Sequence, residues 1–165
     1  MIVQRETPAQ AAEIHAVTLA AFGQPTEADL VDQLRADEGW IPELSMVAVE
    51  DGAVIGHVVC TRARLDGAAV LGLGPLSVHP DHHRRGVGSA LMHAVLGAAD
   101  ALGEPLVVLL GDPRYYVRFG FRLASEYGIS HQVSEWAPHF QARTLTTYRP
   151  ELRGDFVYSE PFNRL

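Results

Sequence analysis

Two Asp-Gly dipeptides, Asp51-Gly52 and Asp66-Gly67, divide the middle of the chain into three apolar, β-branched runs. Asp-Gly suits a two-residue hairpin turn because both central positions of such a turn need positive φ. The runs Leu44 to Glu50, Ala53 to Leu65 and Ala68 to Val78 therefore predict three strands joined as an antiparallel meander. A meander at the centre makes the fold sheet-based.

The segments around it show helical spacing. Ile2 to Arg5 reads as a short first strand. Thr7-Pro8-Ala9-Gln10 is a helix start: Thr7 caps, Pro8 suits the first position, and Gln10 completes a capping box. Ile14, Val17, Ala21 and Phe22 follow on one face, and Gly23-Gln24-Pro25 stops the helix. Thr26, with Glu27 and Asp29 in the first turn, starts a second helix carrying Leu30, Val31 and Leu34, which Gly39 and Pro42 end.

Downstream, Val87, Leu91, Ala94, Val95, Ala98 and Leu102 keep helical period until Gly103, and Leu106 to Leu110 is a continuous apolar run. Such a run fits a strand buried on both faces. Strand, helix and strand (about 70–78, 86–102 and 105–110) form a βαβ-like unit attached to the meander. A short helix near Arg114 to Phe119 and tail strands at Arg143 to Tyr148 and Asp155 to Tyr158 complete the prediction. Without repeats or linkers, residues 1–165 read as one α/β (α+β) domain on a mixed sheet.

The third meander run is irregular. It holds Gly72, Gly74 and Pro75, and proline cannot donate to a ladder while glycine weakens a strand. Such residues mark a bulge, a close ligand approach, or a plain irregularity of the sheet.

Charge and composition narrow the function. The net charge is −7, so the surface as a whole does not attract nucleic acid. The single cysteine, Cys60, cannot form an internal disulfide, which fits a reducing compartment. The N-terminus lacks the pattern of a signal peptide. No apolar run approaches the roughly 18 residues of a membrane helix. A cytoplasmic protein is the expectation.

Gly86-Val87-Gly88-Ser89 stands where a strand has ended and a helix begins. A helix N-terminus offers unpaired N–H groups and partial positive charge, and glycine lets the backbone approach phosphate oxygens. Arg84 and Arg85 add charge beside it. The same residues also suit a plain helix start. A dinucleotide-binding loop is disfavoured because Leu91 replaces its last glycine, and a Walker loop lacks its Gly-Lys-Ser/Thr. His79, Asp81, His82 and His83 are metal-ligand types, but adjacent histidines seldom converge on one ion, and no metal is expected.

Pro80 to Leu91 resembles the acetyl-CoA signature of the GNAT superfamily of N-acyltransferases, Gln/Arg-x-x-Gly-x-Gly/Ala. Leu76-Ser77-Val78-His79-Pro80 resembles the end of that family's fourth strand, and Tyr116-Val117-Arg118-Phe119-Gly120-Phe121 its Tyr-x-x-x-Gly-Phe segment. The resemblance implies a mixed, mostly antiparallel sheet flanked by helices, with splayed fourth and fifth strands. It implies acetyl-CoA as cosubstrate, its pyrophosphate on the turn of Arg85, Gly86, Val87, Gly88 and Ser89. The backbone of Leu76 and Val78 would pair with the pantetheine arm. His83 falls where the family has Gln or Arg, with Arg84 next to it as the alternative donor. Gly111-Asp112-Pro113 replaces a frequent asparagine.

The resemblance gives Tyr116 the role of general acid to the departing coenzyme A thiolate. Tyr115 is its neighbour, and adjacent helical side chains diverge by about 100°, so only one should face the sulfur. A backbone N–H near Val78 would polarise the thioester carbonyl. Cys60, mid-strand in an apolar run, reads as an inert thiol, which favours direct attack in a ternary complex. The fourth strand carries no carboxylate, so the general base is open among Glu50, His57, Asp112 and water. That gap also leaves open a silent module that senses coenzyme A. The acceptor would be a small-molecule or peptide amine. Its pocket would lie between the first two helices and the segment after Phe121, including Trp136, His139 and Phe140. A homodimer through the C-terminal strands is a further open expectation.

Overall fold

Both Asp-Gly pairs form tight turns. In the computed structural model, which describes residues 1–165, Asp51 and Gly52 have φ of 52° and 77°, and Asp66 and Gly67 have φ of 45° and 84°. Two consecutive positive φ values give type I′ turns, whose twist matches that of the strands they join. Those strands are β2 (Ser45–Glu50), β3 (Ala53–Leu65) and β4 (Ala68–Val78). They follow β1 (Ile2–Arg5), α1 (Ala11–Phe22) and α2 (Pro25–Arg35). After them come α3 (Val87–Ala101), β5 (Leu106–Leu110) and α4 (Pro113–Tyr116). Four short strands close the chain: β6 (Arg122–Leu123), β7 (Ile129–Ser130), β8 (Phe140–Thr144) and β9 (Gly154–Val157).

The sheet runs in the order β1-β2-β3-β4-β5-β8-β6, while β9 pairs with both β3 and β7. Most neighbours are antiparallel; β4 and β5, linked through α3, are parallel. No helix is long and apolar enough to cross a membrane.

Helices cover both faces. Ile14 and Val17 of α1 and Val31 of α2 pack on Val47 and Val54, and Leu30 and Leu34 pack on Val59. On the opposite face, Val87, Leu91, Met92, Val95 and Leu96 of α3 meet Met46, Ile55, Val58 and Leu71. Each large side chain buried this way contributes about 1.5–3 kcal/mol. Gly56 lets α3 sit close: a Cβ there would stand 2.9 Å from Leu91 Cδ1 and 3.1 Å from Val87 Cγ1. The N-terminal turn of α3 is thereby fixed against β3.

The irregular strand has a clear consequence. β4 and β5 pair only at Leu71–Val107 and Gly72–Val108. Beyond that point Gly74 has φ of 140°, Pro75 has no N–H to give, and the β3–β4 register shifts between Val58 and Cys60. β5 continues on its other edge against β8 as far as Leu110–Phe140. The two central strands therefore splay, and a gap opens beside the second half of β4.

Some element bounds differ from the sequence reading. Pro25 opens α2 rather than closing α1; Gly23, at φ of 71°, ends α1 and donates its N–H to Leu19 O. β8 starts three residues earlier than expected and ends four earlier. Phe140 to Ala142 are buried against β5, whereas Thr146 and Thr147 turn their side chains to Asp100 in the last turn of α3 and to Gly103 just beyond it. β9 ends at Val157, one residue before the expected Tyr158.

Candidate active site

The turn before α3 presents bare amides. The first bond of the helix runs from Ala90 N–H to Gly86 O at 3.0 Å, so the N–H groups of Val87, Gly88 and Ser89 have no helical partner. Gly86 has φ of 79°, and Arg84 also has positive φ, at 61°. The charged side chains divide their attention. Arg85 pairs with Glu50 at 3.2 Å and donates to His82 Nδ1 at 2.7 Å. Arg84 is exposed and makes no ion pair. His83 donates from Nε2 to Val78 O at 2.9 Å, and His79 Nδ1 accepts from Asp81 N–H at 3.1 Å. The histidines thus take separate partners instead of converging on one point.

β4 offers its backbone to the gap. His79 N–H bonds Ile55 O, so alternate residues of this strand face β3 and the residues between them face away. Leu76 and Val78 are of the second kind. Leu76 presents both N–H and C=O to the gap; Val78 presents its N–H, since His83 occupies its carbonyl.

The adjacent tyrosines part. The Tyr115 hydroxyl lies at the α3 turn, where a Cβ on Gly88 would come within 2.7 Å of it, and the Arg118 guanidinium sits 4.6 Å from its ring centroid. Tyr116 lines a cleft in the β4–β5 gap. Its ring passes over Gly111, where a Cβ would stand 2.5 Å from Cε2. Gly111 thus gives the Tyr116 ring its space. Burial, and then the neighbouring Tyr115, push the Tyr116 phenol up to about 12.

The cleft holds about 610 Å³. Leu73, Gly74, Pro75 and Leu76 form one wall, Leu109, Leu110 and Tyr116 another. Phe22, Glu27 and Leu30 close it from the first two helices, and His131, Trp136 and Phe162 from the C-terminal part. Trp136 is therefore where the sequence reading expected it. His139 instead lines a separate outer groove, and Phe140 is buried in the core beside Phe156.

None of the side chains first considered as the base lines this cleft. Glu50 is held by Arg85. Asp112 accepts the Arg114 N–H at the start of α4 and pairs with the Arg114 side chain, which lowers its pKa. His57 is fully buried on the α1–α2 side: its Nε2 is 2.8 Å from Ser45 Oγ, which in turn donates to Glu6. Arg35 donates to Glu6 at 2.9 Å. Glu6 is the acceptor of this network, so His57 carries its proton on Nε2, and its buried Nδ1 has no partner. Burial holds the His57 pKa below its ordinary value against the opposing pull of Glu6. Glu27, the only side-chain carboxylate lining the cleft, was not singled out from sequence; in the first turn of a helix it reads as a charge favoured by the helix dipole.

Cys60 is buried, and burial, followed by the charge of Glu104, raises its pKa far above the ordinary thiol value. It is inert as a nucleophile.

Residues 42–123 match the acetyltransferase (GNAT) domain family. The uncharacterized N-acetyltransferase YhbS of Escherichia coli (strain K12) is 33% identical over 168 residues, covering 99% of each chain. This chain belongs to the GNAT family of N-acetyltransferases. The crystal structure of Escherichia coli YhbS in complex with CoA superposes with a TM-score of 0.93 at 32% identity, over 99% of this chain and 92% of that one. A GNAT family acetyltransferase from Brucella melitensis, in complex with acetyl-CoA, gives 0.82 at 35% identity, over 98% and 97%. The GNAT fold expected from the sequence, with its mostly antiparallel sheet between helices, is the fold observed.

Proposed function

We propose that this acetyltransferase moves the acetyl group of acetyl-CoA to a primary amine of a small molecule or peptide, by direct attack while both are bound. The observation that carries the reading is the split of the two tyrosines: Tyr115 reaches the phosphate-type turn at Gly88, and Tyr116 reaches the cleft in the splayed sheet. The turn and the cleft are thus two ends of one site.

The amides of Arg85 to Ser89 hold the pyrophosphate, with Arg84 as the free cation beside them. His83 serves by fixing the turn to Val78. Leu76 and the Val78 N–H take the pantetheine arm as an added strand, and that N–H side polarises the thioester carbonyl. The bound ammonium first loses a proton to water, and the nitrogen lone pair then attacks the carbonyl carbon. The C–N bond forms, the C–S bond breaks, and the sulfur leaves with its electron pair toward Tyr116. An ordinary thiol titrates near 8.5, so a phenol at about 12 gives its proton up only as another arrives. Tyr116 therefore hydrogen-bonds the thiolate and passes it the proton shed by the nitrogen of the adduct. Proximity in the cleft supplies much of the remaining acceleration.

The experiment is a thiol-release assay with acetyl-CoA and a panel of amines, on the wild type and on Tyr116→Phe. Amine-dependent release that Tyr116→Phe reduces supports the reading. Failure to bind acetyl-CoA in calorimetry, or an unchanged kcat in Tyr116→Phe, overturns it or its acid step respectively.

A further inference from the structure

We propose that the acceptor is a singly charged amine on an apolar, ring-bearing body, and that Glu27 selects it by holding its positive charge. The inference deepens the acetyltransferase reading and rests on it.

Most of the cleft wall is aliphatic or aromatic, Gln132 and Asn163 add neutral amides, and Glu27 is its single acidic side chain. Glu27 and Leu30 lie three residues apart on α2, so charge and apolar surface stand side by side on one helix face. The Glu27 carboxylate is held in place: Gln24 Nε2 donates to its two oxygens at 3.2 Å and 3.3 Å. Two aromatic walls are also fixed. Trp136 stacks on His131 with centroids 4.5 Å apart, and Phe162 stacks on Tyr158 at 4.4 Å. Such surfaces favour stacking of a flat apolar group.

His131 does not compete for the charge. Its Nδ1 accepts the Val133 N–H at 3.0 Å, which leaves the proton of the neutral ring on Nε2. The ring is therefore a donor, and its burial keeps it neutral. An acceptor with several positive charges would meet one acidic side chain and otherwise neutral amides and apolar surface, leaving charges unpaired. One cation with an apolar body matches Glu27 and the apolar part of the lining.

The test compares 2-phenylethylamine, ethylamine, spermidine and trialanine in the thiol-release assay with saturating acetyl-CoA. The ring should raise kcat/KM about ten-fold or more over ethylamine, and 2-phenylethylamine should also exceed spermidine and trialanine. Glu27→Gln should raise KM for 2-phenylethylamine about ten-fold, with kcat within about two-fold and KM for acetyl-CoA unchanged. Equal kcat/KM across the probes, or a maximum at spermidine or trialanine, would overturn the proposal. So would a Glu27→Gln enzyme with unchanged KM, or one that lost only kcat. These outcomes leave acetyl transfer standing. A wild type that fails to bind acetyl-CoA refutes the acetyltransferase reading instead, and this inference with it.

Discussion

The rings of Tyr115 and Tyr116 meet at 90° with centroids 4.9 Å apart; the Tyr115 hydroxyl lies at the Gly88 turn, and Tyr116 lines the cleft. This divergence follows from the start of a helix: adjacent side chains point about 100° apart. The pair gives a direct comparison. Tyr116→Phe should lower kcat about 100-fold while KM for acetyl-CoA changes less than about two-fold. Tyr115→Phe should do less to kcat and more to acetyl-CoA affinity. Because burial raises the Tyr116 phenol to about 12, it stays protonated through the ordinary tyrosine range. No loss of kcat from Tyr116 ionisation is expected up to about pH 10 in a pH–rate profile.

Gly111 should be needed for the Tyr116 ring to lie where it does. A Cβ there would stand 2.5 Å from Cε2 and 3.1 Å from Cδ2 of that ring. Gly111→Ala should cut kcat about ten-fold and leave acetyl-CoA binding unchanged by calorimetry, with a circular dichroism spectrum like that of the wild type.

Gly88→Ala tests the turn. The added methyl would meet the Tyr115 hydroxyl at 2.7 Å and crowd the bare amides. Alanine itself is the better helix former by about 1 kcal/mol. The expected outcome is about ten-fold weaker coenzyme A binding with little change in Tm, a combination that general misfolding would not produce.

The Glu6 network sets the acid stability. Burial would raise the Glu6 carboxyl, but hydrogen bonds from His57, Arg35 and Ser45 outweigh it and hold it at about 2. The group is depressed, so its contribution is complete above the ordinary carboxyl value of 4.5 and is lost as pH falls toward 2. His57 is depressed as well, so its contribution begins to fade below 6.5. The gap at Glu6 corresponds to about 3 kcal/mol. Thermal melts should show Tm declining below pH 6.5 and more steeply below 4.5. In Glu6→Gln, Tm at pH 7 should be lower by roughly 10 °C and the steep part of the decline should be lost.

Much of this was legible because single residue types carry strong local rules. Asp51-Gly52 and Asp66-Gly67 fixed three strands through φ alone. Gly74 and Pro75 marked the break in β4, and Gly86 and Gly88 marked the turn. Other features were hidden because they arise only from tertiary placement. β6 and β7 have two residues each, too few for any period. Phe140 to Ala142 became strand because β5 pairs with all three and β6 with Gln141 and Ala142 from the other side. Glu27 looked like an ordinary first-turn charge until the cleft formed beside it. His83 and Arg85 carried a plausible phosphate charge in sequence, yet their side chains bond Val78 O and Glu50 in the fold.

Direct attack in a ternary complex is distinguished from a covalent acetyl-enzyme by initial velocities. Acetyl-CoA is varied at several fixed concentrations of 2-phenylethylamine, and acid-quenched protein is weighed by mass spectrometry. Direct attack gives intersecting double-reciprocal lines, equal amounts of free thiol and N-acetylated amine, and no acetyl group on the protein. Parallel lines with an acetylated protein, or no amine-dependent thiol release, would contradict it.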